Sequence, residues 1–307
     1  MQQIRPLFCE SKWYGGVDTP EYVNAISSLF VLAAGLTGFW TSDVLLYPPF
    51  ATLCYGLMVT MGVGSWMHHW YSRQNTFWLR IDFYPMMWLT MLCNTILFID
   101  ISRLIATRRK RQVATAAMVI FNCGYVIAGI STDDSDTQDV LFGTAWIFCY
   151  IWLAIAYRFS VFAAGKSIEG APALLFRAAT ESRIAHRLNS ESIDWSVMKR
   201  PFYGLVARAL IPAILGAVAW LLTENLCTVD NASAIGWVHG VIWHPCVAYS
   251  VWHLMQCNIM ITADWLRTKV VCLEKVGPFV ICRLEAIRDE ELASTGALPL
   301  LKHQTWM

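Results

Sequence analysis

Apolar residues in this chain run in seven long stretches, at about 24–42, 50–70, 77–99, 113–131, 140–163, 203–223 and 234–262. Each is close to or beyond the roughly 20 residues that a helix needs to cross the hydrocarbon core of a bilayer. Polar and charged residues collect between them. The pattern predicts an all-α membrane protein, a seven-transmembrane helix bundle over 24–262, with an N-terminal segment over 1–23 and a C-terminal tail over 263–307. The second stretch, which follows Pro48 and Pro49 and holds several glycines, is the least regular.

The intervening charges orient the bundle. Arg103, Arg108, Arg109, Lys110 and Arg111 follow the third stretch, and Lys166, Arg177, Arg183, Arg187, Lys199 and Arg200 follow the fifth. The loop after the fourth is acidic (Asp133, Asp134, Asp136, Asp139), as is that after the sixth (Glu224, Asp230). The positive-inside rule then places the N-terminus outside or lumenal and the C-terminal tail in the cytosol. Six or eight spans would break this agreement.

Composition supports the same class. The 307 residues are 56% hydrophobic and 15% charged, with a mean hydropathy of +0.45, too apolar for a soluble domain. A net charge of +1 gives no basis for a nucleic-acid partner. The 15 tryptophans suit membrane–water interfaces. Polar residues run to about Asn24, unlike a signal peptide, so the first span is expected to remain. Of ten cysteines most lie in apolar runs and none forms a CxxC pair, which argues against a cysteine metal site. Cys9 and Cys227 differ, since both fall in polar segments outside the spans.

Ionisable side chains inside spans are costly and mark function. His69, His239 and His244 are such residues, with Ser65 four positions before His69 and Asp82 early in the next span. Ser65 and His69 share a helical face, and a short turn over 71–76 makes the two helices antiparallel neighbours, so Asp82 can approach them. Three imidazoles and a carboxylate suit a catalytic zinc with an open fourth position. His239 and His244 are five residues apart, which regular α geometry separates by about 140° around the axis. Pro245 removes the amide that would bond to Val241, so a widened π-turn is expected to bring the two rings together. His68 is read as interfacial and His253 as too distant.

These residues carry a resemblance to the alkaline ceramidases of the CREST superfamily of seven-helix hydrolases. Cys9-Glu10 followed by Pro20-Glu21-Tyr22-Val23-Asn24-Ala25-Ile26-Ser27-Ser28 resembles the family's C-E … A-E-F-W-N-T-x-S-N. Gly64-Ser65-Trp66-Met67-His68-His69 is similar to G-S-x-x-x-H, Asp82-Phe83-Tyr84-Pro85-Met86 to D-E-x-P-M, and His239-Gly240-Val241-Ile242-Trp243-His244 to H-x-x-W-H. The resemblance implies zinc on His69, His239 and His244, Asp82 orienting the water, and Ser65 stabilising an oxyanion. It further implies a Cys9–Cys227 disulfide, a ceramide-type lipid as substrate drawn from the bilayer, and an endoplasmic reticulum or Golgi membrane as the location. The protein is expected to be a monomer.

The chain also departs from the family pattern. The histidine spacing on the last span is one residue longer, and the turn before Asp82 about two. The family's N-terminal calcium positions read here as Leu7, Phe8, Glu10, Lys12 and Glu21. Leu7 and Lys12 replace oxygen ligands, which leaves too few for a hard cation, and Lys12 is expected to bridge Glu10 and Glu21 instead. The competing readings are a zinc-containing receptor of the progestin and adiponectin receptor type and a catalytically inactive relative. A retinal protein is disfavoured, because no span contains a lysine for a Schiff base.

Overall fold

The computed structural model describes residues 9–14, 20–41, 49–71, 76–102, 107–132, 135–165, 195–262 and 268–286. Leu7 and Phe8, the loop over 72–75 and most of the basic loop after residue 165 lie outside the described residues. The helices are α1 (Cys9–Tyr14), α2 (Tyr22–Thr41), α3 (Pro49–Trp70), α4 (Thr76–Ser102), α5 (Arg108–Ser131), α6 (Ser135–Gly165), α7 (Trp195–Leu226), α8 (Ala232–Val238) and α9 (His244–Thr262). A π-helical turn, His239–Trp243, joins α8 to α9.

Five of these helices contain segments long and apolar enough to cross a membrane, namely Tyr22–Thr41, Phe50–Trp70, Phe77–Ile99, Arg109–Ser131 and Arg200–Leu226. They wear apolar side chains outward: Ile26, Phe30 and Trp40 on α2, Ile120 on α5, and Ile211, Leu215 and Leu222 on α7 are exposed. That is the arrangement a bilayer requires and water penalises. The apolar segment Val140–Ala156 of α6 is shorter. The last helix is more polar for a different reason. Ser250, His253, Gln256 and Asn258 on α9 are all buried, because α9 touches α2, α3, α4, α6 and α7 and meets protein where the others meet lipid. Around it Tyr55, Met58, Leu97, Leu153, Phe202 and Trp252 form the main core.

The chain is mostly helical, and the purely helical expectation is corrected at its C-terminal end. Within the segment read as a tail, β1 (Thr268–Val276) and β2 (Phe279–Ala286) form an antiparallel hairpin. Val276 pairs with Phe279 across a two-residue turn in which Gly277 adopts a φ of 58°, a conformation glycine takes without strain. The hairpin docks on α9. Trp252 Nε1 donates to Val280 O at 2.8 Å, Cys282 N donates to Gln256 Oε1 at 2.8 Å, and the Phe279 and Trp252 rings lie 4.5 Å apart. Gln256 Nε2 also donates to Tyr55 OH at 2.9 Å, tying α9 to α3.

Candidate active site

The site is assembled where the start of α2, the end of α3, the start of α4, the end of α7 and the π-turn meet. Glu21 N donates to His69 O at 2.9 Å, which fastens the start of α2 to the end of α3. Two glycines allow the close approaches. A Cβ on Gly64 would stand 2.5 Å from Ile81 C and 2.6 Å from Asp82 N, so α3 presses directly on the α4 backbone that carries Asp82. Pro85, inside α4, has no amide for the Ile81 carbonyl at that same place. A Cβ on Gly240 would stand 2.7 Å from Asn24 Oδ1 and 2.9 Å from Ser27 Oγ, so the π-turn lies flush against α2.

The widened turn expected from Pro245 and the five-residue spacing is present at His239–Trp243. A π-turn closes on the fifth residue, so His244 returns towards the side of His239. The ring centroids are 5.5 Å apart for His239 and His244, 5.5 Å for His69 and His244, and 6.4 Å for His69 and His239. All three rings are buried.

Each ring is held through its Nδ1 atom. His69 Nδ1 lies 2.5 Å from Glu21 Oε2, His244 Nδ1 lies 2.8 Å from Ser27 Oγ, and His239 Nδ1 lies 3.0 Å from Glu224 Oε1. A carboxylate accepts, so Nδ1 of His69 and of His239 carries the proton. Ser27 spends its own proton on Asn24 O at 3.0 Å, so it too accepts, from His244. In their neutral forms the three imidazoles would then share one tautomer, with Nε2 as the atom that could take a metal.

Such rings suit a divalent metal. Three imidazoles on one tetrahedral zinc place their centroids about 5 Å apart. Among the described residues no group of three His, Cys, Asp or Glu side chains is placed to hold a metal ion, and a shared zinc would require these rings to close by up to about 1 Å. The outward Nδ1 bonds to carboxylate and hydroxyl are the outer-shell pattern that fixes ring orientation in metal sites.

Ser65 is buried beside them, with its Oγ 2.9 Å from Ser28 Oγ. Asp82 is half-buried and close enough to His69 to act on it electrostatically. His68, expected at the interface, is buried, with its ring 5.2 Å from that of His69. His253 is buried against Tyr249, with its Nδ1 2.7 Å from Tyr249 O.

The remaining sequence candidates form a second layer above the rings. Cys9 and Cys227 are joined in a disulfide, with Cα atoms 5.6 Å apart. Glu10 accepts from Val23 N at 2.6 Å and Asn24 N at 2.9 Å. Burial raises the Glu10 carboxyl above its ordinary range, and those two amide bonds oppose the rise. Lys12 Nζ donates to Cys227 O at 3.0 Å, and Glu21 is engaged with His69, so the three side chains do not take the form of the expected Glu10–Lys12–Glu21 bridge.

A family model described as Ceramidase matches residues 6–276, nearly the whole span that holds these features. The chain belongs to the ceramidase family. No curated protein matches the chain. Ceramidases hydrolyse the amide of ceramide, and the apolar helices of this ceramidase-family chain suit a lipid substrate held in a membrane. Sequence reasoning missed Ser27 and Glu224 as ring partners. The only available signal was that both lie near a span end on the side where the histidines gather.

Proposed function

We propose that the chain is a zinc-dependent amidohydrolase of the bilayer that cleaves the N-acyl amide of ceramide-type lipids to a sphingoid base and a fatty acid. The observation that carries this reading is the gathering of the His69, His239 and His244 rings, each engaged at Nδ1 by Glu21, Glu224 or Ser27. A zinc held there supplies a Lewis acid that makes water a competent nucleophile near neutral pH. Asp82 takes the proton of the attacking water and returns it to the leaving amine. Ser65, whose Oγ lies 2.9 Å from Ser28 Oγ, turns its proton to the developing oxyanion. The site sits at the end of the bundle marked by α1 and the disulfide, so a lipid amide reaches it at head-group depth while its tails stay among apolar side chains.

The bundle in this reading has seven spans, with α6 and the α8–α9 rod completing the five that are apolar along their length. Its N-terminus is lumenal, where oxidation permits the Cys9–Cys227 bond, and its C-terminal hairpin is cytosolic. The protein acts as a monomer in an endoplasmic reticulum or Golgi membrane.

The test is metal analysis of purified protein together with fatty-acid release from a panel of ceramides and ester lipids. One zinc per chain with amide cleavage is expected. Ester cleavage alone would overturn the substrate assignment, and zinc without any turnover would point to a receptor-type or inactive relative. A second expectation concerns Gly64→Ala. Its Cβ would meet backbone that cannot rotate away, so α3 and α4 must part by about 1 Å, and a shift of that size between reacting groups costs about 10²-fold in rate. Turnover should fall by that order with zinc content unchanged. Loss of zinc instead would show that Gly64 supports the rings and not Asp82.

A further inference from the structure

Glu21 occupies the N-cap position of α2, whose side chain ordinarily bonds the open amides of a first helical turn. Its carboxylate is turned to His69 instead, at 2.5 Å from Nδ1. The turn therefore takes its acceptor from another part of the chain. Glu10, on α1, places Oε1 2.6 Å from Val23 N and Oε2 2.9 Å from Asn24 N. The Glu10 side chain is fully buried, and its charge lies at the positive end of the α2 dipole. α1 is in turn pinned by the Cys9–Cys227 disulfide and by Lys12 on the Cys227 carbonyl. It also passes close over α8, where a Cβ on Gly236 would stand 3.2 Å from Cys9 O and from Glu10 Cα.

The calcium that the family resemblance implies for this segment does not fit these residues. A calcium ion takes six to eight oxygens. Of the three described positions, Lys12 brings a positive charge, and both carboxylates already accept N–H groups of the protein.

We propose that α1 is a metal-free clasp, in which Glu10 caps α2 so that Glu21 can hold His69. Glu10 is then a positioning residue that acts on the rings through the first turn of α2. The clasp stands by itself, and only its effect on the rings rests on the zinc reading above.

The experiment uses the full chain in detergent micelles. Calcium is titrated into calcium-depleted protein while the thermal midpoint is followed by tryptophan fluorescence and radiolabelled calcium by equilibrium dialysis. An unchanged midpoint and no saturable uptake are expected. A calcium-dependent rise in the midpoint, or uptake of one ion per chain, overturns the metal-free clasp. Glu10→Ala should lower the midpoint and weaken zinc retention against a competing chelator about tenfold or more, with no rescue by added calcium. Glu10→Gln, which keeps one acceptor oxygen, should recover part of both. Zinc affinity that stays at the wild-type level in folded Glu10→Ala overturns the positioning role. Should Glu10→Ala fail to fold, the wild-type titration still decides the clasp. A wild type without zinc sinks the hydrolase reading and leaves the calcium result to decide the clasp.

Discussion

Replacing His244 with alanine is expected to remove bound zinc and ceramide hydrolysis together. The residue follows the π-turn, and its ring centroid is 5.5 Å from both of the other two. With it gone, only His69 and His239 remain on that side of the cluster. Two imidazoles whose centroids lie 6.4 Å apart cannot enclose a tetrahedral ion that needs at least three protein ligands for a catalytic site. The loss should exceed the roughly 10–100-fold that outer-shell partners command, leaving fatty-acid release at background. The helix itself should survive, because the His244 ring bonds across to Ser27 on α2 and not to the backbone of its own turn. Metal analysis and fatty-acid release on the same preparation provide the check. A His244→Ala protein that keeps one zinc and turns over at more than about a tenth of the wild-type rate would remove His244 from the site.

The spans were legible because a bilayer imposes a simple rule, about 20 apolar residues per span, and five of the predicted stretches coincide with described helices long and apolar enough to cross a membrane. The π-turn was legible for a sharper reason. Two histidines five apart cannot face one point on a regular helix, and Pro245 names the place where the hydrogen-bond ladder must already be broken. Partners of the rings were not legible. Ser27 is 217 residues from His244, and Glu224 belongs to a different helix from His239. Nothing in local spacing links such pairs, and tertiary packing alone joins them. Glu21 was assigned to a calcium position by resemblance, whereas its side chain is on His69. The hairpin could have been read. Val270, Val271 and Val276 on one side of Gly277-Pro278, with Phe279, Val280 and Ile281 on the other, carry the β-branched runs and turn residues of two short strands. The charged positions Glu274, Lys275 and Arg283 make the segment resemble a solvated tail.

Changing Asp82 to asparagine should separate holding the metal from using it. Asp82 is half-buried at the start of α4, beside the α3 face that presents Ser65 and His69, and Gly64 sets how near it comes. None of the three ring Nδ1 bonds uses Asp82, since they go to Glu21, Ser27 and Glu224. Zinc content should therefore stay near one per chain. An amide cannot accept a proton from water or return it to a departing amine, and removal of a general acid–base typically costs 10²–10⁴-fold. A fall of that order in the rate of fatty-acid release at saturating ceramide, with little change in the half-saturating concentration, is the expected result. Gly64→Ala should reproduce a weaker form of the same phenotype, because it displaces the carboxylate without removing it. If Asp82→Asn instead loses zinc and keeps its rate once zinc is restored, the carboxylate belongs among the groups that retain the ion, and another residue must move the proton.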